Sequence, residues 1–444
     1  MRSKILLLLA LLVSLSLAQS VSAGTNVEAL ARRAVSENQA ESAAAIAELR
    51  RMGPEGLRAM LNIFAEEIRR NGLDSASAST SPEWLRVTAA LDSVAQQRDS
   101  YTSGLYWYTD MEEARKASKA SGKPILSLRL LGKLSEELSC ANSRFFRTVL
   151  YSNPEISRYL SEHFILHWKS VRPAPRVTID YGDGRRVERT ITGNSIHYIL
   201  DSEGRIVDAL PGLYGPAAFL RQLQQAEAVA RQVEGQALPA RMEILRRYHD
   251  TLLDATSKAW ARDVERVGGK ITEKVAAITA TPENPPSARA AARAAITKSV
   301  VEINLVAAIS SDTRALERLT DEDTWNKIAA LYLADAKLDQ ASLALIRRQN
   351  PYLGAGRTDA PGADRMARLV QNFEKAIALD TMRNEYLIHS KIRAWLLSNR
   401  RMMDTEAFNE RVYAELFLTP SSDPWLGLVQ PDTYTGLTND GISN

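Results

Sequence analysis

Lys123-Pro124-Ile125-Leu126-Ser127-Leu128-Arg129-Leu130-Leu131, followed after a charged approach by Cys140-Ala141-Asn142-Ser143, sets the reading of this 444-residue chain. The run Pro124–Leu131 is short, apolar and rich in branched residues, as suits a strand. Gly104–Tyr108, aromatic and branched, is expected to form another. Between them Asp110–Ser121 has helical spacing, with Asp110 as a cap and Gly122 as a stop. Downstream, Phe145–Leu150 and Glu155–Glu162 read as helices separated by Pro154, and Phe164–Ser170 alternates as a strand. Gly182-Asp183-Gly184, between Val177–Asp180 and Arg186–Thr190, is a hairpin signal. Ser202-Glu203-Gly204, between Ile196–Leu200 and Ile206–Leu210, is a second, and helix resumes at Pro216. Strands and helices thus alternate early and end in a hairpin followed by a helix.

With these elements, residues 104–230 resemble the thioredoxin-like superfamily, particularly its exported branch with a long helix before the second strand. The matching residues are Trp107, the Ala114 and Ala117 helix face, Lys123-Pro124-Ile125-Leu126 and Phe164-Ile165-Leu166. Further on they are Gly193-Asn194-Ser195-Ile196, Tyr198-Ile199-Leu200-Asp201, Gly204-Arg205 and Pro211-Gly212. The resemblance implies an α/β thioredoxin-like domain, a mixed central sheet with flanking helices, embedded between mainly α-helical domains. It also implies a Cys-x-x-Cys site at a helix start. There the first thiol, lowered in pKa by the helix N-terminus, attacks a disulfide and the second thiol releases the partner.

This chain holds Cys140 and Ser143 at those two positions, and Cys140 is its only cysteine. A hydroxyl does not displace sulfur under these conditions, so a dithiol cycle within one chain is excluded by composition. The position of the family's cis-proline falls on Ser195. A cis bond before a non-proline residue costs about 2.5–4 kcal/mol, so a trans bond is expected there. The approach Gly132–Leu138 is also longer and more charged than the family's.

Two functional readings follow. In the first, Cys140 exchanges disulfides as a single thiol with an exported protein or a small thiol, and an external thiol resolves the product. In the second, the domain is a non-catalytic scaffold or protein-binding module. Cys140 and Ser143 are the candidate catalytic pair, with Asn142, Arg144, Asn194 and Ser195 as candidate binding residues. Each has a plainer reading: Cys140 as a small buried hydrophobe, Ser143 as a helix cap, Arg144 as a solvated cation. His197 lies beside Ser195 and either reaches the site or packs. His163 and His167 have the four-residue spacing of metal ligands, but a helix ends and a strand begins between them, so no metal site is expected. No cofactor is expected either, since no phosphate-binding loop, His-Glu-x-x-His or Gly-x-Ser-x-Gly motif occurs. Gly354-Ala355-Gly356 reads as a linker.

Arg2 and Lys4, the apolar run Ile5–Ala18 and the small residues Val21-Ser22-Ala23 have the three-part form of a secretory signal peptide. Cleavage is expected after Ala23, giving a periplasmic or secreted protein; an uncleaved anchor is the alternative. The apolar run is short for a membrane span, and no later segment is apolar enough to be one. Lys and Arg number 56 against 53 Asp and Glu, and without Arg2 and Lys4 the balance is 54 to 53. Such a near-neutral chain has no electrostatic reason to seek nucleic acid.

The expected division is 1–23 signal peptide, 24–103 N-terminal helical region, 104–230 thioredoxin-like domain, 231–350 helical bundle, 351–363 linker, 364–418 C-terminal helical region and 419–444 loop-like tail. Ala45–Phe64 faintly resembles one HEAT-like unit, without a second copy. Trp260, Trp325 and Trp395 are expected in cores. The Arg-Arg pairs at 246–247, 347–348 and 400–401 are expected on solvated faces, and His249 and His389 in no special role. Nothing in the sequence indicates an oligomeric state.

Overall fold

Ile125–Leu131 forms β1, and all seven of its residues are buried. A strand covered on both faces reads as an almost continuous apolar run, which is why this one was legible. In the computed structural model, which describes residues 26–72, 81–191, 193–268, 322–350, 362–398 and 404–424, β1 is an inner strand of a mixed sheet. Beside it on one side lies β2 (Ile165–Arg172), parallel, with Ile125 against Ile165. On the other side lies β5 (Ser195–Leu200), antiparallel, with Leu130 against Ser195. The hairpin to β6 (Ile206–Pro211) completes the order β2-β1-β5-β6. Asp201 shapes that hairpin by accepting the N–H groups of Glu203 and Arg205, with Gly204 left-handed at φ 77°.

Helix α6 (Met111–Ser121) precedes β1, capped by Asp110 and stopped at left-handed Gly122. The parallel crossover from β1 to β2 carries α7 (Ala141–Phe145), a π-helical turn over Phe146–Leu150, and α8 (Pro154–His163), whose cap is Asn153. After β6, α9 (Pro216–Val233) packs back onto the sheet. The glycine-rich hairpin forms as read, but apart from the sheet: β3 (Arg176–Asp180) and β4 (Arg186–Thr190) make a separate two-stranded ribbon.

Gly104–Tyr108 is not the expected strand. Only Tyr108 makes a bridge, to His167, while the Trp107 N–H goes to the Ala95 carbonyl. The segment's aromatic rings are divided between two cores, Tyr106 in one and Trp107 in the other, and that division replaces a ladder.

The first core belongs to the N-terminal helices: α1 over residues 26–34, α2 (Gln39–Arg51), α3 (Pro54–Ile63), α4 (Ala65–Asn71) and α5 (Pro82–Ala95). It gathers Leu30, Leu49, Leu57, Met60, Trp84 and Leu91. The second surrounds the sheet and extends beyond it. Beside the leucines of β1 it includes Ile377 and Ala378 of α13 (Gly362–Arg383), Ile392 and Trp395 of α14 (Ser390–Ser398), and Phe408 of α15 (Thr405–Arg411). Val412, Tyr413 and Phe417 continue it. A smaller third core joins Val264 of α10 (Leu238–Val267) to Trp325 and Ile328 of α11 (Glu322–Leu331) and to Tyr386, with Trp260 packed against it. The remaining helix, α12 (Gln340–Gln349), carries Arg348 in its last turn, and this arginine is not simply solvated. Its guanidinium donates to the Asn71 and Gly72 carbonyls and lies over the Trp84 and Tyr101 rings. No described helix is long and apolar enough to cross a membrane. The expected signal peptide, the Gly354 stretch, Arg400-Arg401 and the tail beyond residue 424 lie outside the described residues.

Candidate functional site

At the end of β1 the chain turns through left-handed Gly132 and doubles back. A Cβ on Gly132 would stand 3.2 Å from Ser139 Cα, so the return path is tight as well as left-handed. It brings the Cys140 N–H onto the Leu131 carbonyl (3.1 Å) and makes Cys140 the N-cap of α7. Cys140 is 0% exposed. Burial pushes its thiol pKa up; the N–H groups of Ser143 and Leu131, the Ser143 hydroxyl and the Arg144 charge offset this only in part. The helix start lowers the pKa of an accessible thiol, but here loss of water outweighs it. Two buried phenols, Tyr151 and Tyr413, stand close enough that a thiolate at Cys140 would raise the pKa of each.

The Ser143 hydroxyl lies 2.9 Å from the Cys140 carbonyl and 2.5 Å from Ser139 Oγ, so it braces the first turn from inside. This is not a cap, because its partners are the Cys140 carbonyl, the Ser139 hydroxyl and the thiol rather than helix-start N–H groups. Asn142 donates to Ser195 Oγ at 2.8 Å, tying α7 to the start of β5. Its Oδ1 is buried with no hydrogen-bond partner, packed where a Cβ on Gly193 would come within 2.8 Å. Asn194 donates to Thr419 Oγ1 at 2.7 Å, and its carbonyl accepts the Tyr413 hydroxyl at 3.2 Å. Arg144 is half-buried at the margin. Thus Cys140, Asn142, Ser143, Asn194 and Ser195 do come together, with Arg144 beside them.

What the sequence reading missed is the cover. Residues 412–424 close over this cluster. Tyr413 is fully buried, and Leu418 adopts a left-handed φ of 53°, unusual for a branched residue. Arg172 at the end of β2 holds the segment down, donating to the Asp423 carbonyl at 2.8 Å, Thr419 at 3.1 Å and Pro420 at 3.4 Å. No local signal marks this role: β2 is half polar, and the partners of Arg172 lie 247 to 251 positions away.

Several other ionisable residues of the sheet are internal too. His197 does not reach Cys140 directly: its Nε2 bonds the Tyr151 hydroxyl at 2.7 Å, and burial pushes its pKa down to about 3. Ser127 Oγ and His167 Nδ1 are 2.8 Å apart, the spacing of a nucleophile and its base. However, the Arg129 guanidinium donates to that same hydroxyl at 2.6 Å, and all three residues are buried. Arg129 extends to Glu406 of α15 at 2.7 Å, which makes the trio a tie between sheet and helix.

His389 and His249, expected in no special role, join a largely internal network around Asp208 of β6. Asp208 accepts from His389 Nε2 (2.9 Å), the Tyr248 hydroxyl (2.7 Å) and the Ala209 N–H (2.8 Å). Arg393 stands 3.6 Å away, and His249 bonds the Val207 carbonyl. Burial and then the Arg393 charge push His389 down to about 4, so at neutral pH it is an uncharged donor to Asp208. Burial works to raise Asp208, but the surrounding cationic and hydrogen-bonding groups prevail and hold it below its ordinary value.

His163 pairs with Glu227 rather than with His167. Among the described residues no group of three or more His, Cys, Asp or Glu is placed to hold a metal ion. The chain matches no protein-family profile, no curated protein and no solved structure.

Proposed function

We propose that this chain is an exported protein built on a thioredoxin-like core that serves as a non-catalytic scaffold, its helical regions presenting surfaces to a protein partner. The thioredoxin-like reading is supported by the order strand, helices, parallel strand, antiparallel hairpin, helix around one mixed sheet. It is also supported by the position of Cys140 at the start of the first crossover helix. The non-catalytic reading is carried by one observation: Cys140 is wholly enclosed, and its burial favours the neutral thiol, which is a poor nucleophile. The residues that would shape a partner's approach, Asn194 and Ser195, are engaged by Thr419 and Asn142.

The rate of Cys140 alkylation against pH tests this. The expected result is no labelling of the folded protein at neutral pH and full labelling on denaturation. Rapid native labelling with an apparent pKa below about 8.5 would instead support single-thiol exchange. Trapping of mixed disulfides, with Cys140→Ala as control, would then name the partner.

A further inference from the structure

The ribbon β3–β4 has features that neither the sheet nor the site uses. Val177, Ile179 and Val187 are half-buried on one face, yet none of them joins any of the three apolar cores. The opposite face exposes Arg176, Thr178, Asp180, Arg186 and Glu188. Among the described residues each strand ladders only with the other, so the outer edge of each remains open. A lone two-stranded hairpin is marginal in water, and an open edge is a template for a further strand.

The two edges differ in what they can accept. β3 reads Arg176-Val177-Thr178-Ile179-Asp180. Set antiparallel against a second β3 with the two Thr178 opposite, Arg176 faces Asp180 twice and Val177 faces Ile179 twice. Every pair is complementary, and the operation is the twofold one of an isologous contact. A one-residue slip would set the polar face of one strand against the apolar face of the other. β4 reads Arg186-Val187-Glu188-Arg189-Thr190, and the same operation sets Glu188 against Glu188. Within the hairpin, Asp180 is already 2.8 Å from Arg186 Nε. A second copy would therefore place each Asp180 between two guanidinium groups.

The geometry points to the outer edge of β3 as a self-association surface, whose partner is the β3 edge of a second copy of this chain. The product is a four-stranded antiparallel sheet with its twofold axis at Thr178. Two five-residue strands fall short of the roughly 1,200 Å² of a stable interface, so the pair is weak and concentration-dependent.

Sedimentation equilibrium of the whole chain from about 10 µM to about 1 mM spans that regime. The wild type is expected to pass from monomer towards dimer. Thr178→Lys sets two ammonium groups opposite each other at the axis, while inside the hairpin it places one ammonium group across from Glu188. The ribbon is retained and the dimer is lost. Thr178→Val puts a pair of branched apolar side chains at the axis and tightens association up to about five-fold. A wild type that stays monomeric throughout overturns the assignment, as does a Thr178→Lys variant that associates as the wild type does.

Discussion

Arg172→Met removes the guanidinium that holds residues 419–423 while keeping an apolar stem in its place. Of its three carbonyl contacts, those at 2.8 and 3.1 Å are sound hydrogen bonds and the one at 3.4 Å is marginal. A bond to a charged group contributes about 1.5–3 kcal/mol. Arg172 is half-buried, so water replaces part of what is lost, and the net effect is that of about one such bond rather than two. At about 1.4 kcal/mol per decade, the covering segment should open roughly 10- to 150-fold more often. Two readouts follow it: amide exchange across residues 413–424, and alkylation of Cys140 under native conditions at about pH 8, near the ordinary thiol pKa. Both are expected to accelerate by similar factors, while global stability falls by no more than the same amount of about 1.5–3 kcal/mol. Faster exchange with unchanged alkylation would refute the reasoning, because Cys140 would then be enclosed by the sheet's own core and not by the C-terminal cover.

Acidification should destabilise the fold before the surface carboxylates titrate. Burial pushes His167 and His197 to about 3 and, together with Arg393, His389 to about 4. Each therefore binds fewer protons folded than unfolded below the ordinary value of about 6.5, and its contribution is lost as pH falls. Asp92, pushed up to about 6 by burial, acts in the opposite sense between about 4 and 6. Near pH 5 the buried histidines, His249 included, take up protons on unfolding and outnumber Asp92 and Glu385, whose raised values act the other way, so stability falls as pH falls. Urea titrations between about pH 5 and 6.5 measure it, and a flat profile would contradict it. Asp208→Asn breaks an internal ionic network and should cost about 3–5 kcal/mol in the urea midpoint analysis, whereas a surface site would cost almost nothing. Gly215→Ala should cost about 1–3 kcal/mol by overpacking, because its Cβ would fall 2.3 Å from the Asp335 carbonyl oxygen. Thermal unfolding reads that loss, and an unshifted Tm would show that the turn at Leu333–Ala336 can yield.

The sheet was legible because β1, β5 and β6 are contiguous apolar runs, and because Gly182-Asp183-Gly184 and Ser202-Glu203-Gly204 announce their own turns. Gly104–Tyr108 was misread because the same aromatic residues that favour a ladder also serve to pin one core against another, and periodicity does not separate the two uses. The cluster around Cys140 was legible as a neighbourhood but not as a closed one. Its enclosure depends on Tyr413, Thr419 and the carbonyls held by Arg172, partners with no local mark in the chain. Ionisable residues inside apolar strands, Arg129 in β1 and Asp208 in β6, were the clearest unused signal. A charge in such a strand needs a buried partner, and Glu406 and His389 are those partners. Arg348 was read as solvated for the same reason: its carbonyl partners at 71 and 72 belong to another region of the chain.

Phe408, Val412, Tyr413 and Phe417 complete a core whose last strand ended at Pro211, far earlier in the chain. Such contacts carry a large loop-closure entropy and slow folding. As the chain emerges N-terminus first, the N-terminal helices up to Ala95 can close on their own core at once, since all its buried members lie between Leu30 and Tyr106. The sheet cannot do so: it waits, with one wall missing, until residues 405–417 have been made. A chain with this wiring stays unfolded in its middle while its beginning is already ordered, and holdase chaperones that favour exposed apolar strands should engage residues 125–211 before any other part.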